Sequence, residues 1–425
     1  MSLIHKYVLY CLCLAGAFQA AGQAARSPYT SFGIGEPYGN ALINQQGMAG
    51  VGVAQPEFWF VNNQNPALLV YNSVYSGFQA GIIAERRHIS GDTLSETSKG
   101  GNMNYLVTAF PIIPSKWTTS AGLMPYTSVN YKMQYRDDIV GSNEQVNVIE
   151  EGSGGLTQLY WANGVRLTRE LAIGLKASYV FSSIVNTYKN QLVNSAEPVK
   201  YLAAIEEKSY VRDFAFGSGI SFSKDSLFSK HRYRLSIGAV YNFATDLAAR
   251  KTNRLYRTNA LGDTTDVTVL PTSLSGSFSI PYSLTGGIAL SRGLDWSIAA
   301  EFSYQDWSAF RNINGQNDAL EQAWRMAIGG ELTPDQFATE NYFKRWTYRA
   351  GVSMEQAPFL ANGNPVKDIG INFGFSLPAG RSSLDFAFKY GKRGNRTENL
   401  LAEDYFKVYF GITFNDQWFI KRKFN

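Results

Sequence analysis

Chemistry near neutral pH would fall first to histidine, and the chain has three. His5 lies in a stretch read below as a leader, His88 near the outer end of the first expected strand, and His231 near the start of the seventh. An apolar band about 25 Å tall would part His88 from His231, far beyond the roughly 3 Å over which a base meets its nucleophile. A composite histidine site is therefore not expected. No His-Glu-x-x-His spacing and no phosphate-cradling glycine loop occurs. Both cysteines, Cys11 and Cys13, belong to the leader, which leaves no thiol for a disulfide or a thiolate metal site. Neither cysteine follows the small residue that a lipid acceptor requires. The expectation is a chain that is not an enzyme and carries no cofactor and no metal. The remaining candidates are ionisable residues at polar positions of alternating segments: Lys176, Arg234, Glu301, Arg349, Asp385, Lys389 and Lys407. They can be read as a substrate path or, more plainly, as cross-strand charge pairs, with Arg349 and Glu301 as the pair to inspect.

The elements that must position these residues follow from hydropathy. A composition of 45% hydrophobic and 17% charged residues carries too few charges for disorder. Beyond the leader no apolar run reaches the roughly 18 residues a membrane-spanning helix needs. Aromatic residues at 14%, together with Gly 39, suit strands with rings at a lipid interface and small residues inside a barrel. The first residues read as a targeting segment: Lys6 is followed by an apolar run from Tyr7 to Phe18 and by Ala20-Ala21-Gly22. The net charge of +5 has one visible cluster, Lys421-Arg422-Lys423, so nucleic acid is not an expected partner.

Period two is clearest near the C-terminus. Phe406, Val408, Phe410, Ile412 and Phe414 share one face, while Tyr405, Lys407, Tyr409, Gly411 and Thr413 share the other. The pattern recurs in Leu384 to Tyr390, Ile369 to Phe375 and Trp346 to Met354. Expected strands cover 73–90, 102–113, 117–136, 155–168, 171–188, 204–223, 230–244, 280–291, 295–310, 321–333, 346–356, 368–377, 382–392 and 404–415. Tight connections such as Thr168-Arg169-Glu170 alternate with long polar ones at 137–154, 187–203, 245–279 and 392–403, a pattern of outer-membrane barrels, with 334–345 longer than the rule allows. A soluble sandwich also shows period two; the leader, the aromatic clustering and the loop asymmetry argue against it. The fold class expected is all-β, a transmembrane antiparallel β-barrel of about fourteen strands with an N-terminal hatch inside the lumen. Its parts would be a signal peptide at 1–22, a hatch at 23–72, the barrel at 73–415 and a periplasmic tail at 416–425. In the tail, Trp418 to Lys423 suit a membrane boundary, where rings and snorkelling basic side chains sit; an assembly signal or docking strip is the other reading.

The run Gly47-Met48-Ala49-Gly50-Val51-Gly52-Val53-Ala54 followed by Asn65-Pro66-Ala67 resembles the opening of FadL-type long-chain fatty-acid transporters. Pro281, Gly286-Gly287, Trp296, Asp306-Trp307-Ser308, Trp324 to Leu332, Tyr348 to Gly351 and Asp385 to Gly394 continue the resemblance over most of the chain. It implies a fourteen-stranded barrel in the outer membrane of a Gram-negative bacterium, a hatch that includes Gly50, Gly52, Asn65, Pro66 and Ala67, and sideways exit of apolar ligands through a kink in the third strand. Gly122, Pro125 and Tyr126 are the candidate lateral opening, because proline cannot complete a ladder; an ordinary bulge is the plain alternative. The implied function is uptake of hydrophobic, fatty-acid-like molecules, with membrane lipid and a hydrophobic or detergent-like ligand in the lumen as partners. Ser27 to Gly35 and the tail look closer to the PorV-like, secretion-associated members. These imply the alternative, a non-transporting barrel subunit of an envelope protein complex for secretion or assembly.

Overall fold

Alternating strands with one apolar face form a sheet, and in hydrocarbon a sheet cannot leave its edge amides and carbonyls unpaired, so it closes on itself. A computed structural model describes residues 23–92, 95–138, 145–192, 201–225, 233–259 and 264–417. No helix among the described residues is long and apolar enough to cross a membrane.

After a two-residue strand β1 (Glu36–Pro37), the wall runs β2 (Ser76–Ser90), β3 (Ser95–Ile113), β4 (Trp117–Pro125), β5 (Thr127–Asp138), β6 (Gln145–Arg166) and β7 (Leu171–Leu192). It continues with β8 (Tyr201–Asp225), β9 (Tyr233–Asn242), β10 (Thr245–Asn259), β11 (Thr264–Ile280) and β12 (Ser283–Arg292). Then follow β13 (Trp296–Asp306), β14 (Gln322–Leu332), β15 (Thr347–Ala361), β16 (Asn364–Ala379), β17 (Ser382–Arg393) and β18 (Ala402–Asp416). The wall has fourteen staves, because β4 with β5, β9 with β10, and β11 with β12 each continue one line across a break. All pairings are antiparallel, and β18 pairs with β2 from Ala402↔Ser90 to Asp416↔Ser76, which closes the barrel.

Two of the three breaks have a local cause. Pro125 and Pro281 lack the amide hydrogen that a central strand must donate. At the first break β6 supplies Gly154 and Gly155 with φ of 103° and 134°, and the register against β6 slips by one, from Pro125↔Thr157 to Val129↔Gly154. Such a slip is a bulge, bending the wall and raising its twist.

The two faces divide as the alternation predicts. Ile369, Ile371, Phe373, Phe406, Ile412 and Phe414 point outward and are exposed, while Asn372, Ser376, Asp385, Tyr405 and Tyr409 are buried inside. A continuous exposed apolar belt with a polar interior is a protein turned inside out for lipid.

Several expectations are corrected. The segments 137–154, 187–203 and 245–279 read as long polar loops, yet most of each is strand, in β6, β7, β8, β10 and β11. On that side the sheet continues past its apolar band. Polar residues on both faces from Arg250 to Arg257 mark hydration there, not loss of strand. The strand expected at 295–310 is β13 and ends at Asp306, where the chain turns inward so that Trp307, Phe310 and Leu320 are buried. The long connection at 334–345 holds a 3-10 turn, Tyr342–Arg345. His5, His231, Cys11, Cys13 and Trp418 to Lys423 lie outside the described residues.

The interior is filled by residues 23–75, whose backbone runs against inward glycines of the wall. A Cβ on Gly329 or Gly351 would overlap the carbonyl group of Met48, on Gly238 that of Val53, and on Gly164 or Gly174 the backbone of Pro66. Gly329→Val should therefore push the N-terminal segment off the wall while the β13–β14–β15 ladder, made of backbone bonds, survives. Limited proteolysis would show faster cleavage within 23–75, with the heat resistance of the barrel on gels unchanged.

Candidate functional site

Charge inside the barrel is organised around Glu36 on the N-terminal segment. Its carboxylate lies between two wall arginines, 3.3 Å from Arg87 Nη2 and 2.8 Å from Arg393 Nη2. Arg87 also donates to Glu85 and, at 2.7 Å, to Glu403, and Arg393 donates to Asp368 at 2.9 Å. Tyr405 donates to Asp368 at 2.6 Å, and Ser27 donates to Glu403 at 2.5 Å. Burial alone would raise the Glu36 carboxyl, but Arg393, Arg87 and Lys407 hold it well below the usual range, so it stays ionised. Glu36, Arg87, Arg393, Asp368 and Glu403 are not among the candidates that the sequence offers. Strand parity places Glu85, Arg87 and Arg393 on the inner face and was the available signal.

The singled-out charges fall inside but pair differently. Arg349 does not meet Glu301; it donates to Glu331 at 3.1 Å and to Ser376 at 2.6 Å. Adjacent strands decide this, since Glu331 lies directly opposite Arg349 across β14 and β15, whereas Glu301 sits one strand further on. Glu301 accepts the amides of Gly52 and Val53 at 3.0 and 3.1 Å and lies 3.6 Å from Arg325. Asp385 accepts from Ser376, Ser383 and Thr413. Lys176 reaches Asn40 and Asn63 of the N-terminal segment, and Lys407 reaches Glu36 at 3.9 Å. Arg234 instead pairs with Asp225 at the short-turn end.

The glycines and the Asn65-Pro66-Ala67 triplet all touch the wall. Gly50 packs beside Arg325, whose guanidinium donates to the Ala49 carbonyl. Asn65 donates to Val53 O at 2.8 Å and to Ile220 O on β8 at 3.1 Å, and it accepts from Ala67 N at 3.0 Å. Pro66 starts a 3-10 turn to Tyr71 that lies against β6 and β7.

Gly122, Pro125 and Tyr126 bracket a change in the wall. Gly122 pairs with Val107 on β3 and Tyr160 on β6, within intact sheet. Above Leu106↔Leu123 the β3–β4 ladder stops, and among the described residues no pairing joins upper β3 to β5. The N-terminal segment occupies this seam. Gly101 N donates to Gln23 O at 3.0 Å, Ser27 N to Asn130 O at 2.8 Å, Asn130 Nδ2 to Ala24 O at 2.5 Å, and Glu36 pairs opposite Ser128. Tyr126 N donates to Leu156 O, and its carbonyl accepts from Tyr38 N.

Two cavities flank the segment and share no lining residue. One of about 900 Å³ lies at the short-turn end among Glu57, Phe58, Trp59, Tyr71, Arg234 and Trp296. The other, about 390 Å³, lies toward the long-connection end among Glu36, Glu301, Arg325, Lys389, Arg393 and Lys407. Around and above it, Tyr29, Ile34, Phe278, Trp307, Phe310 and Leu320 form a packed apolar cluster.

A family model described as BamG matches residues 3–425. None of the curated proteins matches the sequence. Among solved structures the chain is similar to the CymD monoaromatic hydrocarbon channel, with 14% identity over 89% of this chain and 98% of that one and a TM-score of 0.56. It is also similar to the Pseudomonas putida toluene transporter TodX, with 16% identity over 91% and 99% and a TM-score of 0.54. A Pseudomonas aeruginosa FadL homologue shares 12% identity over 89% and 98% with a TM-score of 0.54. The fold is that of the FadL-type barrels.

Replacing Asn65 with Leu strands the Val53 and Ile220 carbonyls, a loss on the order of 1–3 kcal/mol. Planar-bilayer conductance should show larger or more frequent openings, with the wall still folded. Glu57 gives a pH dependence. Burial and the nearby Glu331 push its carboxyl up to about 8 against the pull of Arg349 and the Asn44 hydrogen bond, with Asp385 adding to the rise. An acid whose folded value is raised stabilises the docked segment fully below the unfolded value of 4.5, and that stabilisation is lost as pH rises to about 8. Proteolysis within 23–75 should accelerate across that window, and Glu57→Gln should flatten the dependence.

Proposed function

The chain belongs to the BamG family, and we propose that it is an outer-membrane barrel with a closed lumen, serving as a structural subunit of an envelope assembly or secretion complex. The observation that carries this reading is the fit of residues 23–75 to the wall glycines. An apolar solute needs an apolar chamber. Toward the long-connection end the aromatic region is packed with the chain's own side chains, Phe310 being fully buried, and the 390 Å³ cavity there is edged by charged groups, while the aromatic-lined 900 Å³ cavity lies at the other end and shares no lining residue with it. Moving a hydrocarbon there would strip water from ionised groups without replacing their hydrogen bonds, which is unfavourable. The tail and residues 23–72 then act as periplasmic end and hatch. At the same end, Phe337 is 81% exposed and Phe343 60%, rings presented on the long connection between β14 and β15. Exposed aromatics of this kind anchor protein interfaces.

A second reading has its own support. The seam between upper β3 and β5 is bridged by the N-terminal segment, not by a direct ladder, and the CymD channel and the TodX toluene transporter share the fold. It is uptake of hydrophobic, fatty-acid-like molecules with sideways exit past Pro125.

Gentle extraction from cells followed by affinity purification separates the two. A stoichiometric protein partner is expected, and Phe337→Ser should weaken its recovery several-fold without altering barrel heat resistance. A lone barrel holding an apolar ligand, with a deletion strain that fails to grow on hydrophobic substrates, would instead establish uptake.

A further inference from the structure

Cross-strand neighbours on the outer face of β16, β17, β18, β2 and β3 form a row: Ile371, Tyr390, Phe406, Arg86 and Lys99. The first three are lipid-belt residues, and the row changes to cations where it reaches β2 and β3. Arg86 and Lys99 are exposed and lie directly opposite one another. Like charges so placed repel, a net cost to the sheet. The inner-face carboxylates Glu85 and Glu403 are engaged by Arg87 and Glu96 by Arg26, and Asp404, diagonal to Arg86 on the outer face, makes no ion pair with it. The next row outward adds Lys392 and His88, with Asp404 between them. His88 bonds Thr97 at 3.0 Å. The patch is thus cationic with one carboxylate. It sits where the apolar belt gives way to polar residues at the long-connection end, the level at which lipid headgroups meet a barrel.

We propose that Arg86 and Lys99 clamp a phosphate of an outer-leaflet lipid headgroup, its acyl chains lying along Phe406, Tyr390 and Ile371. A guanidinium offers a planar fork and an ammonium a point charge, a combination that suits a phosphate dianion and turns their repulsion into shared attraction. Lys392 and His88 line the side on which the rest of a phosphorylated headgroup would extend. This rests on the reading that the barrel spans the outer membrane with its long connections outward.

The test uses the full-length protein, delipidated in detergent, with diphosphorylated lipid A as the probe and native mass spectrometry as the readout. Wild type should retain the lipid, and Arg86→Gln/Lys99→Gln should lose about tenfold or more, as expected for two charge-assisted contacts. Lys99→Arg should retain it, and Lys116→Gln at the opposite end of the wall should match wild type. Equal retention by the double variant, equal binding of dephosphorylated lipid A, or displacement of the lipid by equimolar inorganic phosphate would each overturn the proposal. Cell fractionation is run alongside: recovery from a membrane other than the outer one sinks the parent reading by itself, whereas the binding ratios address the clamp alone.

Discussion

Backbone can lie against backbone only where side chains are missing, and the whole interior depends on that constraint. Residues 47–67 meet the wall where β6, β7, β9, β14, β15 and β16 present glycine. Each contact exchanges a side chain's volume for the approach of a polar chain, which then requires hydrogen bonds from the wall. Glu301 supplies them to Gly52 and Val53, Asn372 to Gln46, and Ile220 to Asn65. The close packing parts the 900 Å³ cavity from the 390 Å³ one, which share no lining residue, and functional readings diverge on that point.

Placement of the segment is also electrostatic. Glu36 enters a wall region that holds Arg87, Arg393, Lys407 and Lys389 against Glu85, Asp368, Glu355 and Glu403. Buried ion pairs add little net stability relative to apolar packing, because desolvation offsets attraction, but leaving one unpartnered is costly. Without Glu36 the two arginines would face each other with less compensation. The cluster therefore fixes where the segment sits more than how tightly it holds.

Much of the wall was legible. Period two in Tyr405 to Phe414 or Ile369 to Phe375 reports its faces directly, since one side meets lipid and the other the lumen. Legibility ended where both faces are wet: Arg250 to Arg257 in β10 carries polar residues on each side, and alternation disappears though the ladder persists. The charge partners were hidden for another reason. Arg349 chooses Glu331 by register across β14 and β15, and register depends on turn lengths that composition does not report. Asn65-Pro66-Ala67 stood out because proline and asparagine constrain the backbone locally, whereas Glu36 has no local mark: its importance arises from Arg87, 51 positions on, and Arg393, 357 positions on.

That separation constrains how the molecule can be made. Ser27 bonds Glu403 across 376 residues of chain, and β2 pairs with β18, so the last stave to leave the ribosome completes both the cylinder and the grip on its first residues. The segment that precedes every stave of the wall in the chain ends up enclosed. Either the open sheet curls around a segment already lying on its concave face, or the segment threads a finished ring. Loop-closure entropy and the depth of the glycine contacts favour the first order. The N-terminal segment would then be a template on which curvature is set, its contacts choosing the number of staves before the final edges meet.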